Sequence, residues 1–396
     1  MKRRPKGVAT TAVHAGTKVP ESITMPKVPP IYAASVFSFD SLAQLDEVWE
    51  GRSKGYVYSR MRNPGIDLLE EAVTSLEAGA GAVAFASGMA AITVSALSVL
   101  SVGDHVVAAK VLYGGTYTFF HDELPKRGVS TTFVDVSNLD EVKAAMGPNT
   151  RLLYCETVSN PLMEVADLGA LASIAHESGA LLAVDNTFAS PILCRPLEHG
   201  ADLSIHSSTK YLNGHSDVTG GIAVGKDPAL MAKIRSLASM YGPVPSPFDA
   251  WLVMRGMRTL DLRVRQCSDN ALALSGFLAA HPKVAEVHYP GLSSSPYKAL
   301  ADKYLDGGYG GMLSFAVRGG LEGARKVIDG LEMVELVPSL AGVATTVSHP
   351  AKTSHRGIPQ VEREASGVGE GLIRVSVGIE DYADIEEDFA QALKQV

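Results

Sequence analysis

Apolar and polar positions along this chain repeat with two periods, and the alternation between them outlines its architecture. From Gly65 the run IDLLEEAVTSLEAG spaces apolar side chains three and four apart and closes on Gly79, which predicts a helix. The short apolar run AVAFA reads as a strand, and SGMAAITVSALSVL after it as a second helix. HVVAAK, TTFVD, RLLYCET, LLAVDN and DLSIHS are further strand candidates. The segments NLDEVKAAMG and DLGALASIAHESG between some of them look helical and end in glycine. Nearly continuous apolar strands separated by amphipathic helices predict an α/β fold with a largely parallel sheet covered on both faces.

The pattern changes at both ends of this region. The first sixty residues are rich in Pro, Lys and Ser with little sustained period, and read as an extended arm. After Asp249 a long helical stretch, WLVMRGMRTLDLRVRQCSDNALALSGFLAAH, leads toward the strand candidates VAEVHY, GMLSFAVRG and LIRVSVGIE, mixed with helices. The organisation expected is an arm over 1–62, a large domain over 63–254 and a smaller α+β domain over 255–396.

Composition narrows the function classes. With 46% hydrophobic and 20% charged residues among 396, the chain can bury a sizeable core, which excludes a disordered protein. A net charge of -8 argues against nucleic acid or an anionic membrane as partner and leaves small molecules. No run approaches the ~18 apolar residues of a membrane span. The basic start MKRRPKG has no apolar stretch behind it, so no secretory signal is expected. Three cysteines, Cys155, Cys194 and Cys267, are too few and too scattered for a disulfide scaffold or a zinc site, which fits a cytoplasmic protein.

Ligands of open α/β sheets sit beyond the carboxyl ends of the strands, so the residues just after each apolar run carry the candidate chemistry. Ser87, Gly88 and Met89 follow AVAFA and open a helix, which would aim free N–H groups at an anion. Asp185 ends LLAVDN, and a carboxylate there needs a cationic or N–H partner. Ser207, Thr209 and Lys210 follow DLSIH: two hydroxyls suited to a phosphate, beside an amine that a partly apolar pocket turns into a nucleophile. Taken singly, each has an ordinary explanation as a helix cap, a turn cap or a surface lysine. Together they ask for a ligand with a phosphate, a cationic ring nitrogen and a carbonyl that can condense with an amine, which is pyridoxal 5'-phosphate. Neither GxGxxG after a strand nor GxxxxGK[ST] occurs, which weakens dinucleotide and P-loop alternatives. His206, His215, His349 and His355 have hydroxyl and glycine neighbours rather than a metal-binding cluster, so no metal is expected; Cys155 and Cys194 read as small buried residues.

The motifs YSRMRNPG, ASGMAAI, LYGGTY, ETVSNP, VDNTFASP, HSSTKYLNGHSD and RVSVGIED resemble, in order and across essentially the whole chain, those of the Cys/Met-metabolism pyridoxal-phosphate enzymes. That family includes cystathionine γ-synthase, cystathionine lyases, methionine γ-lyase and O-acetylhomoserine sulfhydrylase. The resemblance implies fold type I: a mostly parallel seven-stranded sheet flanked by helices, with the arm and the smaller domain. It implies that Lys210 holds the cofactor covalently, that Asp185 keeps the ring nitrogen protonated, and that Ser87, Gly88, Met89, Ser207 and Thr209 bind the phosphate. Tyr113 would stack on the ring and assist proton transfer. Asn160 would meet the phenolic oxygen, and Ser339 and Arg374 would hold the substrate carboxylate. Tyr58 and Arg60 would complete the phosphate site of a neighbouring subunit, giving a homotetramer built from catalytic dimers.

Departures bear on the substrate. The methionine-degrading branch usually carries a cysteine where Gly115 stands and a Lys-Asp pair near Ala238-Ser239. Many cystathionine enzymes have glutamate where Pro338 stands, and Ala344 replaces another frequent glutamate. The reading is a γ-cleaving or γ-replacing transsulfuration enzyme of cystathionine type, with a methionine or homocysteine γ-lyase as the alternative. An aminotransferase-like enzyme and a non-catalytic cofactor-binding protein are weaker alternatives.

Overall fold

The computed structural model describes residues 24–396, so 1–23 of the predicted arm lie outside the described residues. The chain divides after Ile31, and the second unit, Tyr32–Val396, holds every element discussed below. Its first sheet has seven strands: β1 (Gly81–Phe85), β2 (His105–Ala109), β3 (Ser130–Val134), β4 (Thr150–Glu156), β5 (Leu181–Asp185), β6 (Leu203–His206) and β7 (Gly221–Gly225), in the order β1-β7-β6-β5-β4-β2-β3. Only β7 runs against its neighbours. Helices on both faces explain the apolar runs: every residue of β2, β6 and β7 is buried. The second sheet contains β8 (Val284–His288), β9 (Met312–Val317), β10 (Glu335–Leu336), β11 (Thr346–Ser348) and β12 (Leu372–Ser376), in the order β10-β11-β12-β9-β8.

Each sheet has its own apolar core. One helix joins them: Leu260–Ala280 gives Leu260, Val264 and Cys267 to the first core and Ala271, Leu274 and Leu278 to the second. All three cysteines are buried. Among the described residues, no helix is long and apolar enough to cross a membrane.

Three local expectations need correction. β7, the run GIAVG, was not among the strand candidates because glycines bracket three apolar residues. Gly221 is required by packing: a Cβ there would lie 2.2 Å from the carbonyl oxygen of Ser87. The long helical stretch is two helices, Pro247–Met257 and Leu260–Ala280. Arg263 braces the break by donating to the Gly256 carbonyl at 2.8 Å and to that of Tyr211 at 2.9 Å.

The third concerns Gly79. The helix Pro64–Leu76 ends in a Schellman arrangement in which Gly79 N–H donates to Thr74 O, but the left-handed residue is Ala78, with φ 54. Gly79 serves close packing instead, since a Cβ there would come 2.5 Å from Val224 Cγ1. Two neighbouring substitutions therefore have opposite signs. Ala78→Gly relieves a left-handed residue and is expected to gain roughly 0.5–1 kcal/mol, whereas Gly79→Ala is expected to lose about 1–3 kcal/mol by overpacking. Calorimetric midpoints compared with wild type check both, and a destabilised Ala78→Gly would overturn this account of the helix end.

Candidate active site

The carboxyl ends of β1, β4, β5 and β6 open onto a cavity of about 260 Å³. Its lining includes Ser87, Gly88, Met89, Tyr113, Asn160, Asp185, Ser207, Thr209, Lys210 and Arg374, so ten residues singled out from sequence come together in one place. Ser339 joins them through a hydrogen bond, and its neighbours Pro338 and Leu340 are on the wall. Tyr58 and Arg60 are not on this wall. Arg60 lies over the Tyr58 ring at 5.5 Å and bonds Ser239 of its own chain.

A helix start lies at one end of the cavity. The Ser87 hydroxyl caps the helix Gly88–Val99 by accepting from Ala90 N–H at 3.1 Å. The Gly88 and Met89 N–H groups, which a helix cannot satisfy internally, remain beside the cavity. A Cβ on Gly88 would lie 2.7 Å from Ser207 Cβ, so glycine is what lets this helix start approach the Ser207 turn. Thr209 is less free than its sequence suggests. Its hydroxyl accepts from Gly220 N–H at 2.9 Å and donates to Gly220 O at 3.2 Å, which ties the lysine turn to the segment before β7.

Opposite charges stand further along the wall. Asp185 ends β5, with Oδ1 accepting from Thr187 N–H at 2.9 Å and Oδ2 facing the Tyr154 hydroxyl at 3.5 Å. Burial raises its carboxyl, while the Thr187 bonds and His206 pull the other way. A cationic ring nitrogen brought against it would restore the charged form. Lys210 Nζ donates to Ser339 Oγ at 2.9 Å, and its amine is lowered to about 8 by burial first and by the Arg374 charge second. Arg374 is buried; it donates to Asn160 Oδ1 at 2.9 Å and to Ser339 O at 3.4 Å, and burial lowers it to about 10. It remains cationic at neutral pH. An amine of lowered basicity, a buried carboxyl, free helix-start N–H groups and a buried arginine have the chemistry that pyridoxal phosphate and an amino acid would need.

The histidines are committed elsewhere. His206 Nε2 meets Glu77 Oε1 at 2.5 Å, with both side chains buried, and His215 Nδ1 meets Asn213 O at 2.7 Å. His349 Nε2 meets Glu370 O at 2.8 Å. His355 contacts Ser354 Oγ at 2.9 Å, and burial lowers it to about 4. Burial also pushes the Cys155 and Cys194 thiols up.

Sequence reasoning passed over several wall residues. Glu156 ends β4 as Asp185 ends β5, and inspecting every strand end would have found it. Its Oε1 accepts from Tyr113 N–H at 2.7 Å and its Oε2 from Asn160 N–H at 2.9 Å. Thr187 accepts from Ser207 N–H at 2.8 Å, and Ser354 comes from a distant loop that no local pattern marks. That loop passes so close to Gly114 that a Cβ there would lie 2.0 Å from Ser354 O. Gly115 is similarly confined, 2.7 Å from Tyr113 Cε1 on the same construction, so a larger residue would move the Tyr113 ring.

Comparison with known proteins converges on one family. The family model described as Cys/Met metabolism PLP-dependent enzyme matches residues 9–394. The L-methionine gamma-lyase of Fusobacterium nucleatum subsp. polymorphum is 41% identical over all of both chains. The cystathionine gamma-lyase of Bacillus subtilis is 41% identical, over 98% of this chain and 99% of that protein. Among solved structures, cystathionine gamma synthase from Xanthomonas oryzae pv. oryzae aligns with a TM-score of 0.90 and 39% identity over 99% of each chain.

The lowered Lys210 amine has a direct test. In cofactor-free protein, labelling of Lys210 by an amine reagent is expected to rise with pH around a midpoint near 8, because the unprotonated amine reacts and burial favours it. Arg374→Met removes the second cause and shifts that midpoint upward. Peptide mass spectrometry across a pH series reads both, and a Lys210 midpoint in the ordinary lysine range would contradict the geometry.

Proposed function

The chain belongs to the Cys/Met-metabolism PLP-dependent enzymes, its cofactor is pyridoxal phosphate, and from that premise we propose a transsulfuration enzyme acting at the γ-carbon of sulfur amino acids or activated homoserine, by elimination or replacement. The observation that carries this reading is the Lys210 amine, 2.9 Å from Ser339 Oγ and facing a cavity shared with Asp185, Arg374 and the start of the Gly88 helix. Lys210 would hold the cofactor covalently, Asp185 would pair with its ring nitrogen, and Gly88, Met89, Ser207 and Thr209 would take its phosphate, with Ser87 capping the helix that presents the first two. Tyr113 would stack on the ring, and Asn160 would offer its amide N–H to the phenolic oxygen, its Oδ1 being taken by Arg374.

When bound, the cofactor supplies an electron sink for negative charge developing beside the substrate nitrogen. The remaining work falls to side chains. Arg374, steadied by Asn160 and Ser339, grips the substrate carboxylate and fixes the α-carbon. Lys210, with an amine near 8, is part unprotonated at neutral pH and serves as the base that takes the α-proton. A second proton then leaves the β-carbon, which lets the γ-substituent depart, and the Tyr113 hydroxyl is the proton carrier for that leaving group. Whether a thiol then adds or water completes the cleavage separates replacement from elimination.

The favoured substrate is cystathionine or an activated homoserine, because Gly115 and Ala238-Ser239 lack the side chains typical of the methionine-degrading branch. A methionine or homocysteine γ-lyase is the second reading. Pro338 carries no N–H and with Leu340 makes the wall beside Ser339 apolar, which suits a short thioether. The likeness to an L-methionine gamma-lyase supports the same reading.

We read the assembly as a homotetramer of catalytic dimers. Tyr58 and Arg60 stand off their own cavity, and Val36, Trp49, Tyr58 and Met61 leave the segment around them with exposed apolar surface.

Incubation with cystathionine, methionine, homocysteine, cysteine, or acylated homoserine plus cysteine tests the reaction. 2-Oxobutanoate with ammonia, or a new thioether, is the expected outcome; pyruvate as sole product from every substrate would sink γ-chemistry. Lys210→Ala is expected to lose the yellow chromophore and turnover by roughly 10³-fold or more. For the assembly, mixing inactive Arg60→Ala and Lys210→Ala chains is expected to restore about a quarter of the wild-type sites, since half of the dimers are mixed and each has one intact site. No recovery after verified subunit exchange would remove the shared site.

A further inference from the structure

Two acidic residues end neighbouring strands of the first sheet, and they are placed for different work. Glu156 and Asp185 pair in register across the parallel strands β4 and β5, so they lie side by side about 4.8 Å apart along the sheet. Asp185 is half-buried on the cavity wall, whereas Glu156 is buried and spends both oxygens on backbone N–H groups. The two N–H groups belong to different loops. Tyr113 follows β2 and starts the short helix Gly114–Thr118; Asn160 follows β4 and precedes Pro161.

From Asn160 the contacts run on without a gap. Asn160 Oδ1 accepts from Arg374, Arg374 donates to Ser339 O, and Ser339 Oγ accepts from Lys210 Nζ. One buried carboxylate thus stands at the head of a chain of hydrogen bonds that sets both the ring-facing tyrosine and the carboxylate-binding arginine. A buried carboxyl beside a second one is costly. Burial first and Asp185 second raise the Glu156 carboxyl, and the two N–H bonds oppose them. Holding a loop in place would not by itself require an acid next to Asp185, since a neutral acceptor would serve one loop. A carboxyl group offers two acceptor oxygens, one to each loop, and the two N–H bonds favour its charged form against that burial.

We propose that Glu156 is a positioning residue for the reaction, acting through Tyr113 and Asn160 to lock their two loops onto the cavity. The inference rests on the assignment of Tyr113, Asn160 and Arg374 to the cofactor and substrate site, and does not depend on which sulfur compound is processed. Glu156→Gln tests it, because an amide has a single acceptor oxygen and its NH₂ group must face one of the two donors. One loop is released while the side chain keeps its size.

Two measurements on the holoenzyme and one on cofactor-free protein decide the matter. The Gln variant is expected to keep the cofactor absorbance, because Lys210 is untouched, yet to lose at least about tenfold in kcat/KM. The split between the constants reports which loop was freed: a fall in kcat points to Tyr113, a rise in KM to Asn160 and Arg374. In cofactor-free protein, amide hydrogen exchange at Tyr113 or Asn160 is expected to accelerate about tenfold or more in the variant, while Leu152–Cys155 in β4 stay as slow as in wild type.

Wild-type kinetics in the Gln variant would overturn the proposal. So would acceleration spread along the whole of β4, or a variant that does not fold, since either marks a residue that maintains the sheet. The wild-type protein gives an independent check: amides of Tyr113 and Asn160 exchanging as fast as exposed loops would show that Glu156 does not hold them. Loss of the proposed γ-chemistry in the substrate panel with these exchange results intact would separate an error in the function from an error here.

Discussion

The register of β4, β5 and β6 is the constraint on which the site depends. Parallel strands in register end together, so Glu156, Asp185 and the turn after His206 arrive at one edge without any long-range signal between them. A slip of one residue in β5 would turn Asp185 to the opposite face and bring Asn186 to the cavity. The chemistry therefore rests on backbone pairing that the apolar side chains of these strands enforce from both sides.

The strand ends are also fastened on the face away from the ligand. Glu77, at the close of the helix Pro64–Leu76, meets His206 at the end of β6 and Asn186 after β5, and Asn186 in turn accepts from the Thr157 hydroxyl after β4. Three strand ends and a helix end are tied through one buried network. Removing His206 would leave Glu77 with Asn186 alone, and losing a buried hydrogen-bond partner of this kind costs about 1–3 kcal/mol. His206 thereby has a use next to the cofactor turn without touching a ligand. It explains why a histidine sits inside an apolar strand that otherwise carries none.

Much of this was legible in the sequence. Residues directly after apolar runs, such as Ser87, Asp185, Ser207 and Lys210, announced themselves because a polar group at a buried strand end needs a reason. Arg374 and Ser339 came from the resemblance, since nothing local distinguishes them. β7 was hidden because glycines that serve close packing at Gly221 look like turn residues. The helix stop at Ala78 was assigned to Gly79 for the same reason: sequence tells where glycine is, and only packing tells whether backbone conformation or space requires it. Ser354 was invisible because its place on the wall is set by a loop more than two hundred residues from Gly114 in sequence. Glu156 was legible by the same rule that found Asp185, yet its two backbone partners were not.

The three buried cysteines acquire a meaning from the chemistry proposed beside them. Cys155 immediately precedes Glu156, Cys194 lies behind the turn after β5, and Cys267 sits where the long helix joins the two cores. Thiol–disulfide exchange needs an accessible thiolate, and burial pushes all three thiols up while closing them off from solvent. A catalyst that makes or consumes small thiols is bathed in reagents able to cap its own sulfur. Here burial withholds all three thiols from that exchange.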